Sequence, residues 1–311
     1  MHFVILIIIV KELLQSLAQS SHYKSLLAKV QAQNSTTVGG LAGASLSAVV
    51  ANLYTHTHRP LLVLLPDKEE SAYVLNDLET LVGEQRVLFF PDSYRRPYQI
   101  EDTDNANVLL RAEVLHQLSH STKPLIVVSY PEALFEKVIT RKQLEQNTLK
   151  ITKGDSLTLE FLNEVLFSYQ FNRTDFVTEP GEFSVRGGIV DIFSFSNNEP
   201  YRIEFFGNEV ESIRTFEVES QLSTAQLSQI IIIPNVENKE SDEVRQSFLE
   251  YISPQTLFIA KDIASLGQKI DKLFAKATDI YQKLANEVKR TAPQELYCQT
   301  EDLLAQANRL Q

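Results

Sequence analysis

The sequence predicts an α/β protein built on a mostly parallel sheet, interrupted by an α+β segment that carries an antiparallel sheet. Three observations carry that reading. Continuously apolar runs at Pro60–Pro66, Val87–Phe90 and Pro124–Ser129 each precede a helical pattern, as strands buried on both faces do. From about Leu149 to Pro234 the texture changes to short, closely spaced strands of alternating polarity. Beyond Pro234 the helical periodicity returns.

The apolar run Met1–Val10 is too short to span a bilayer, which takes ~20 residues. It lacks the basic flank and small-residue cleavage site of a signal peptide, and reads as a buried strand or an irregular start to the first helix. Leu13, Leu14, Leu17, Leu26, Leu27 and Val30 recur at helical spacing over 11–32. A Gly-rich turn, Thr37–Ser47, is read as a strand-to-helix turn leading into a helix over 44–54. After the first strand, Asp67 N-caps a helix that reaches Leu81. Residues 105–118 form the helix after the second strand, and Pro131–Val138 the helix after the third.

In the changed segment one helix, about Thr158 to Tyr169, precedes the sheet. Pro180–Phe193 and Pro200–Arg214 follow, with Gly207 and Asn208 as a two-residue hairpin turn. Period two sends Tyr201, Ile203 and Phe205 to a core face and Arg202, Glu204 and Phe206 to the opposite one. A register set by the turn puts Phe206 opposite Glu209, Glu204 opposite Glu211 and Arg202 opposite Ile213. Two facing carboxylates repel, and a cation, Arg202 or one on a partner, would relieve them. Arg186, on the neighbouring run, joins this surface after the Gly187–Gly188 irregularity. Arginines and aromatics together are the residue types enriched at binding hot spots. Ile230–Ile233 reads as a buried strand returning to the α/β core, and helices over about 239–251 and 263–289 follow.

With 311 residues the chain is long enough for two or three domains. Its 43% hydrophobic and 22% charged content is that of a globular protein. A net charge of -11 argues against tight autonomous binding to duplex DNA, because counterion release is small. A single cysteine, Cys298, excludes an intrachain disulfide and suits a reducing cytosol, so a cytoplasmic location is expected. No Cys/His cluster has zinc spacing, and no serine–histidine–aspartate set can be assembled from spacing.

The Gly-rich turn can be laid on a phosphate loop, G-x-x-x-x-G-K-[ST]. Gly40 and Ser47 keep the first glycine and the final hydroxyl, and Gly43 lies between them. Ser45 replaces the second required glycine and Leu46 the lysine, so neither the open backbone nor the charge is supplied. Tyr94, Arg95, Arg96 and Tyr98 interleave basic and aromatic residues, as contacts to DNA do. Glu101, Asp102 and Asp104 form an acidic cluster without His or Cys, and fit a loop or cap role.

The runs Pro180–Phe193, Tyr201–Phe206 and Glu209–Arg214 closely resemble the N-terminal module of bacterial transcription-repair coupling factors, and more loosely UvrB. Leu65–Asp67 and Phe90–Asp92 fit the coupling factors, and the resemblance covers nearly the whole chain beyond the first ten residues. It implies two halves of a degenerate P-loop, helicase-like α/β domain, 1a (1–148) and 1b (235–311), flanking an inserted domain 2 (149–234). In the family, domain 2 binds UvrA through an arginine that falls on Arg186 and through residues that fall on Arg202 and Phe206, with Glu204 on the same face. The phosphate-loop lysine and the long Tyr-rich hairpin of UvrB are missing. The resemblance therefore implies a non-catalytic adaptor, a piece of a longer chain, with no cofactor of its own. ATP and magnesium would belong to motor domains elsewhere. RNA polymerase and DNA would be reached through other parts of the parent, and no membrane is expected. The alternative is an NTPase or helicase-like enzyme working at the Gly40–Ser47 turn.

Overall fold

The computed structural model describes residues 12–33, 35–93, 98, 105–195, 197–236, 244–284 and 291–310. Helix α1 (12–19) breaks at Ser20, whose hydroxyl accepts from the Tyr23 N–H and N-caps α2 (Ser21–Gln31). The single helix expected over 11–32 is thus two. The run Met1–Val10 lies outside the described residues. A coil leads to α3 (Ser45–Thr57), then β1 (Leu61–Leu64), α4 (Lys68–Val82), β2 (Val87–Phe90), α5 (Asn105–His120) and β3 (Ile126–Ser129). The Asp67 carboxylate accepts from Glu70 N at 2.8 Å and caps α4, as its sequence position predicts. After β3 the chain forms a short α6 (Pro131–Phe135) and β4 (Val138–Ile139), so the helix expected to reach Val138 stops early. The capped α7 (Arg141–Gln146) follows.

The insert opens on β5 (Leu149–Thr152) and α8 (Leu159–Ser168). Its strands are β6 (Asn172–Arg173), β7 (Glu182–Arg186), β8 (Ile189–Ile192), β9 (Tyr201–Phe206), β10 (Glu209–Phe216) and β11 (Ser223–Leu227), and β12 (Gln229–Ile232) leads out. The last part holds β13 (Arg245–Gln246), α9 (Phe248–Tyr251), β14 (Leu257–Ala260), α10 (Ile263–Leu284), α11 (Pro293–Leu296) and α12 (Thr300–Ala307). Of the helix expected over 239–251 only α9 is present, since Arg245–Gln246 pair as a strand with β4 and 237–243 lie outside the described residues. The helix expected over 263–289 is α10, with 285–290 also outside them.

The parallel sheet has four strands in the order β14-β1-β3-β2. Alternation divides its residues between two cores. Leu61, Val63, Val87, Ile126 and Val128 pack with α2, α3 and α4, while Leu62, Leu64, Leu88, Phe90 and Val127 pack with α5, α9 and α10. Burial on both faces is why these runs carry no polar alternation. The fourth strand is β14. Ile230–Ile232, expected to return to this sheet, instead pairs antiparallel with β5, so the first and last strands of the insert are zipped together at its base.

The insert's sheet runs β11-β10-β9-β8-β7-β6. It is antiparallel except between β6 and β7. Phe183, Val190, Ile192, Ile203 and Val210 face inward with Leu162 and Leu166 of α8. The other face carries the candidate site.

Candidate functional site

The period-two expectation for β9 is met. Tyr201, Ile203 and Phe205 are buried, Arg202 and Glu204 are half-buried, and Phe206 is 78% exposed. The register is not the one a bare turn dictates. Phe206 does sit opposite Glu209, but a bulge between Val210 and Ser212 puts Glu204 opposite Ser212 and Arg202 opposite Arg214. Glu204 and Glu211 therefore do not face each other. The Ser212 hydroxyl donates to Glu204 at 2.7 Å, and Arg214 pairs with the same carboxylate.

Two rows of side chains cross the strands on this face. One runs Arg186, Ile189, Glu204, Ser212, and the other Ser184, Asp191, Arg202, Arg214. Asp191, fully buried, anchors both arginines. Arg202 donates through Nε to Oδ1 at 2.7 Å and through Nη2 to Oδ2 at 2.8 Å, and Arg186 pairs with Oδ2. The bond from Asp191, outweighing the cost of burial, raises the Arg202 pKa above its ordinary value. Arg202 also donates to the Gln221 carbonyl at 3.1 Å and lies over the Phe216 ring. Arg186 donates to the Asp175 carbonyl at 2.9 Å and stands over Phe176, itself 62% exposed. Two guanidiniums on one carboxylate leave a fixed net positive charge, with the exposed Phe176 against Arg186 and the exposed Phe206 further along β9.

Sequence reasoning missed Asp191, Arg214 and Phe176. A signal existed for the first: Asp191 interrupts the apolar run Ile189–Phe193, and a buried carboxylate demands cationic partners. Phe176, in the loop before β7, gave none.

The Gly40–Ser47 turn departs from the phosphate-loop frame in place as well as sequence. No strand occupies residues 35–44, so it is not a strand-to-helix turn but links α2 to α3. Gly40 and Gly43 take positive φ in open space. Leu46 packs against the α2–α4 core, and the buried Ser47 hydroxyl donates to Asp77 of α4 at 2.8 Å. Tyr94, Arg95, Arg96 and the acidic residues 101–104 lie outside the described residues. Tyr98 is half-buried, donates to the Thr291 carbonyl at 3.0 Å and packs beside Tyr281 and Tyr297. Among the described residues no group of three or more His, Cys, Asp or Glu could hold a metal, and no helix is long and apolar enough to cross a membrane.

Residues 149–237 match the family model of the UvrB interaction domain. The chain contains a UvrB interaction domain. The whole of the six-stranded sheet with its Asp191-centred face lies inside it. Over a wider span the chain is similar to transcription-repair-coupling factors. It is 32% identical to that of Myxococcus xanthus over 66% of this chain and 18% of the relative. The Bacillus subtilis factor is 29% identical over 63% of this chain and 17% of its own length. It is also similar to UvrABC system protein B of Thermotoga maritima, 27% identical over 70% of this chain and 34% of the relative. The chain thus spans about a fifth or less of these coupling factors and about a third of the UvrB relative. Around its UvrB interaction domain stands the mixed α/β fold with a parallel sheet that the sequence predicts.

Proposed function

We propose that the outer face of β7–β10 binds UvrA, and that the chain acts as a UvrB-like adaptor in transcription-coupled nucleotide excision repair. The observation that carries this is the pairing of an exposed apolar anchor, Phe206, with two arginines fixed on the buried Asp191. Arginines held in place by their own chain lose little side-chain freedom on binding, and their outward N–H groups are ready for carboxylates. A longer parent, on the likeness to coupling factors, would engage stalled RNA polymerase and DNA through other parts, with ATP and magnesium in its motors. The Ser47 hydroxyl, spent on Asp77, supports a module that binds no nucleotide and hydrolyses none.

Calorimetry of the purified chain with UvrA tests the proposal. Phe206→Ala and Arg202→Ala are each expected to weaken binding by ~2 kcal/mol or more, as truncation of a hot spot does. Wild-type affinity in both variants would reject this surface. The second possible centre is checked in the same calorimeter: heat of ATP binding that disappears in Ser47→Ala would restore the enzyme reading.

A further inference from the structure

Among the described residues the parallel sheet ends on β2, which there pairs with β3 alone. The direction of its free groups follows from the ladder. Leu125 and Ser129 give their carbonyls to Leu61 N and Leu65 N, which turns the alternate carbonyls of Ile126 and Val128 toward β2. Leu88 and Phe90 then face β3, and the Val87 and Phe89 backbone groups point out of the sheet. Val87 N–H turns back to the Glu84 carbonyl, which leaves the Val87 carbonyl and both Phe89 groups with no strand to meet among the described residues. Neither residue is shielded by a long charged side chain of its own, the usual guard of a strand edge.

A groove of about 740 Å³ runs along this edge between α4 and α5. Leu75, Leu110 and Val114 line it beside the edge, together with the amides of Gln85, Gln117 and Asn198. Three carboxylates, Glu79, Glu84 and Glu113, line it, and among the described residues no cationic side chain does. Burial, and then the charge of Glu84, raises the Glu79 pKa, the direction produced by an acid short of a counter-ion.

We propose that this edge receives an extended, lysine- or arginine-rich segment of another polypeptide, added to β2 as a further strand of the sheet. The main-chain groups of Phe89 would supply the ladder, the apolar lining residues would take side chains from the added strand, and the carboxylates would select basic ones. Successive side chains of a strand point to opposite faces. One basic residue would therefore reach Glu79 and Glu84 on the α4 side while the next reaches Glu113 of α5. A second copy of this chain fits poorly, since a net charge of -11 sets acid against acid. The surface is separate from the Asp191-centred face, and the proposal stands or falls independently of UvrA binding.

The test titrates the isotopically labelled chain with the acetylated, amidated hexapeptide Lys-Val-Lys-Lys-Val-Lys and with its glutamate counterpart. The basic peptide is expected to shift the Phe89 amide and slow its hydrogen exchange, and the acidic one to do neither. Glu79→Gln and Glu113→Gln are each expected to weaken the basic peptide about fivefold, the effect of one charge pair in contact in water. Phe206→Ala should leave the titration unchanged. Equal binding of both peptides, a Phe89 amide that does not respond at millimolar basic peptide, or undiminished binding in both glutamine variants overturns the proposal.

Discussion

Asp191 does for the candidate site what no exposed residue could. It is wholly buried, and its two oxygens hold Arg186 and Arg202. Removing it leaves the partly exposed Arg186 and Arg202 without their shared carboxylate, a loss that water softens. Asp191→Ala is therefore expected to lower stability by about 1–3 kcal/mol, read as a fall in the urea midpoint. A change below the error of the measurement would show that water or Glu204 replaces the carboxylate. His116, on α5, offers a titration away from the site. Its Nε2 is buried without a hydrogen-bond partner among the described residues, and burial, then the charge of His120, lowers its pKa below the ordinary 6.5. The folded state favours the neutral ring, so the unfolded chain binds more protons below 6.5 and stability falls as the pH drops through that value toward the folded one. Between about pH 7.5 and about pH 5.5 the thermal midpoint should fall further in the wild type than in His116→Gln. Parallel curves would refute the assignment.

At the scale of elements, the β7–β8 turn shows how closely the strands are fitted. Gly187 has a φ of +61°, and a Cβ on Gly188 would sit 2.9 Å from the Phe205 carbonyl oxygen, a backbone atom. Gly188→Ala must push β9 away from β8 and is expected to cost about 1–3 kcal/mol. Faster hydrogen exchange at Phe205, whose amide donates to the Gly188 carbonyl at 2.8 Å, would report it. Unchanged exchange there would mean that the turn absorbs the methyl group. The faces of this sheet were legible in the sequence because period two is a property of each strand alone. The bulge in β10 was not. Residues 154–157 hydrogen-bond across to Asn208 and Val210, and they lie some fifty positions away in the chain, beyond the reach of any local turn rule. Asp191 was missed for a different reason: its arginines lie only 5 and 11 positions away, but on two strands whose cross-strand register each strand's own pattern does not give.

For the whole molecule, the sequence announced three strands of the parallel sheet and concealed the fourth. Leu257–Ala260 is a run of four between Thr256 and Lys261, and only Leu257 is buried, since β14 is an edge strand. The equally short but wholly isoleucine run at Ile230–Ile233 attracted the assignment that belonged to it. Although outlying in sequence, β14 closes the sheet: it covers one side of β1, whose four residues are almost inaccessible to solvent. A chain ending after Ile252 is expected to lose the cooperative thermal transition of the full chain. An intact transition in that shortened chain would show that β14 is dispensable.

Because nearly two hundred positions separate Leu61 from Leu257, the order of manufacture matters. At the usual pace of the ribosome, roughly 5–20 residues per second, β1 waits roughly 10–40 s for its neighbour. The UvrB interaction domain leaves the exit tunnel complete in that interval, while the apolar ribbon of β1 and β3 still has one raw side. A newborn chain of this design calls for a chaperone at the N-terminal half, and its yield should track how long that half is kept from its own kind.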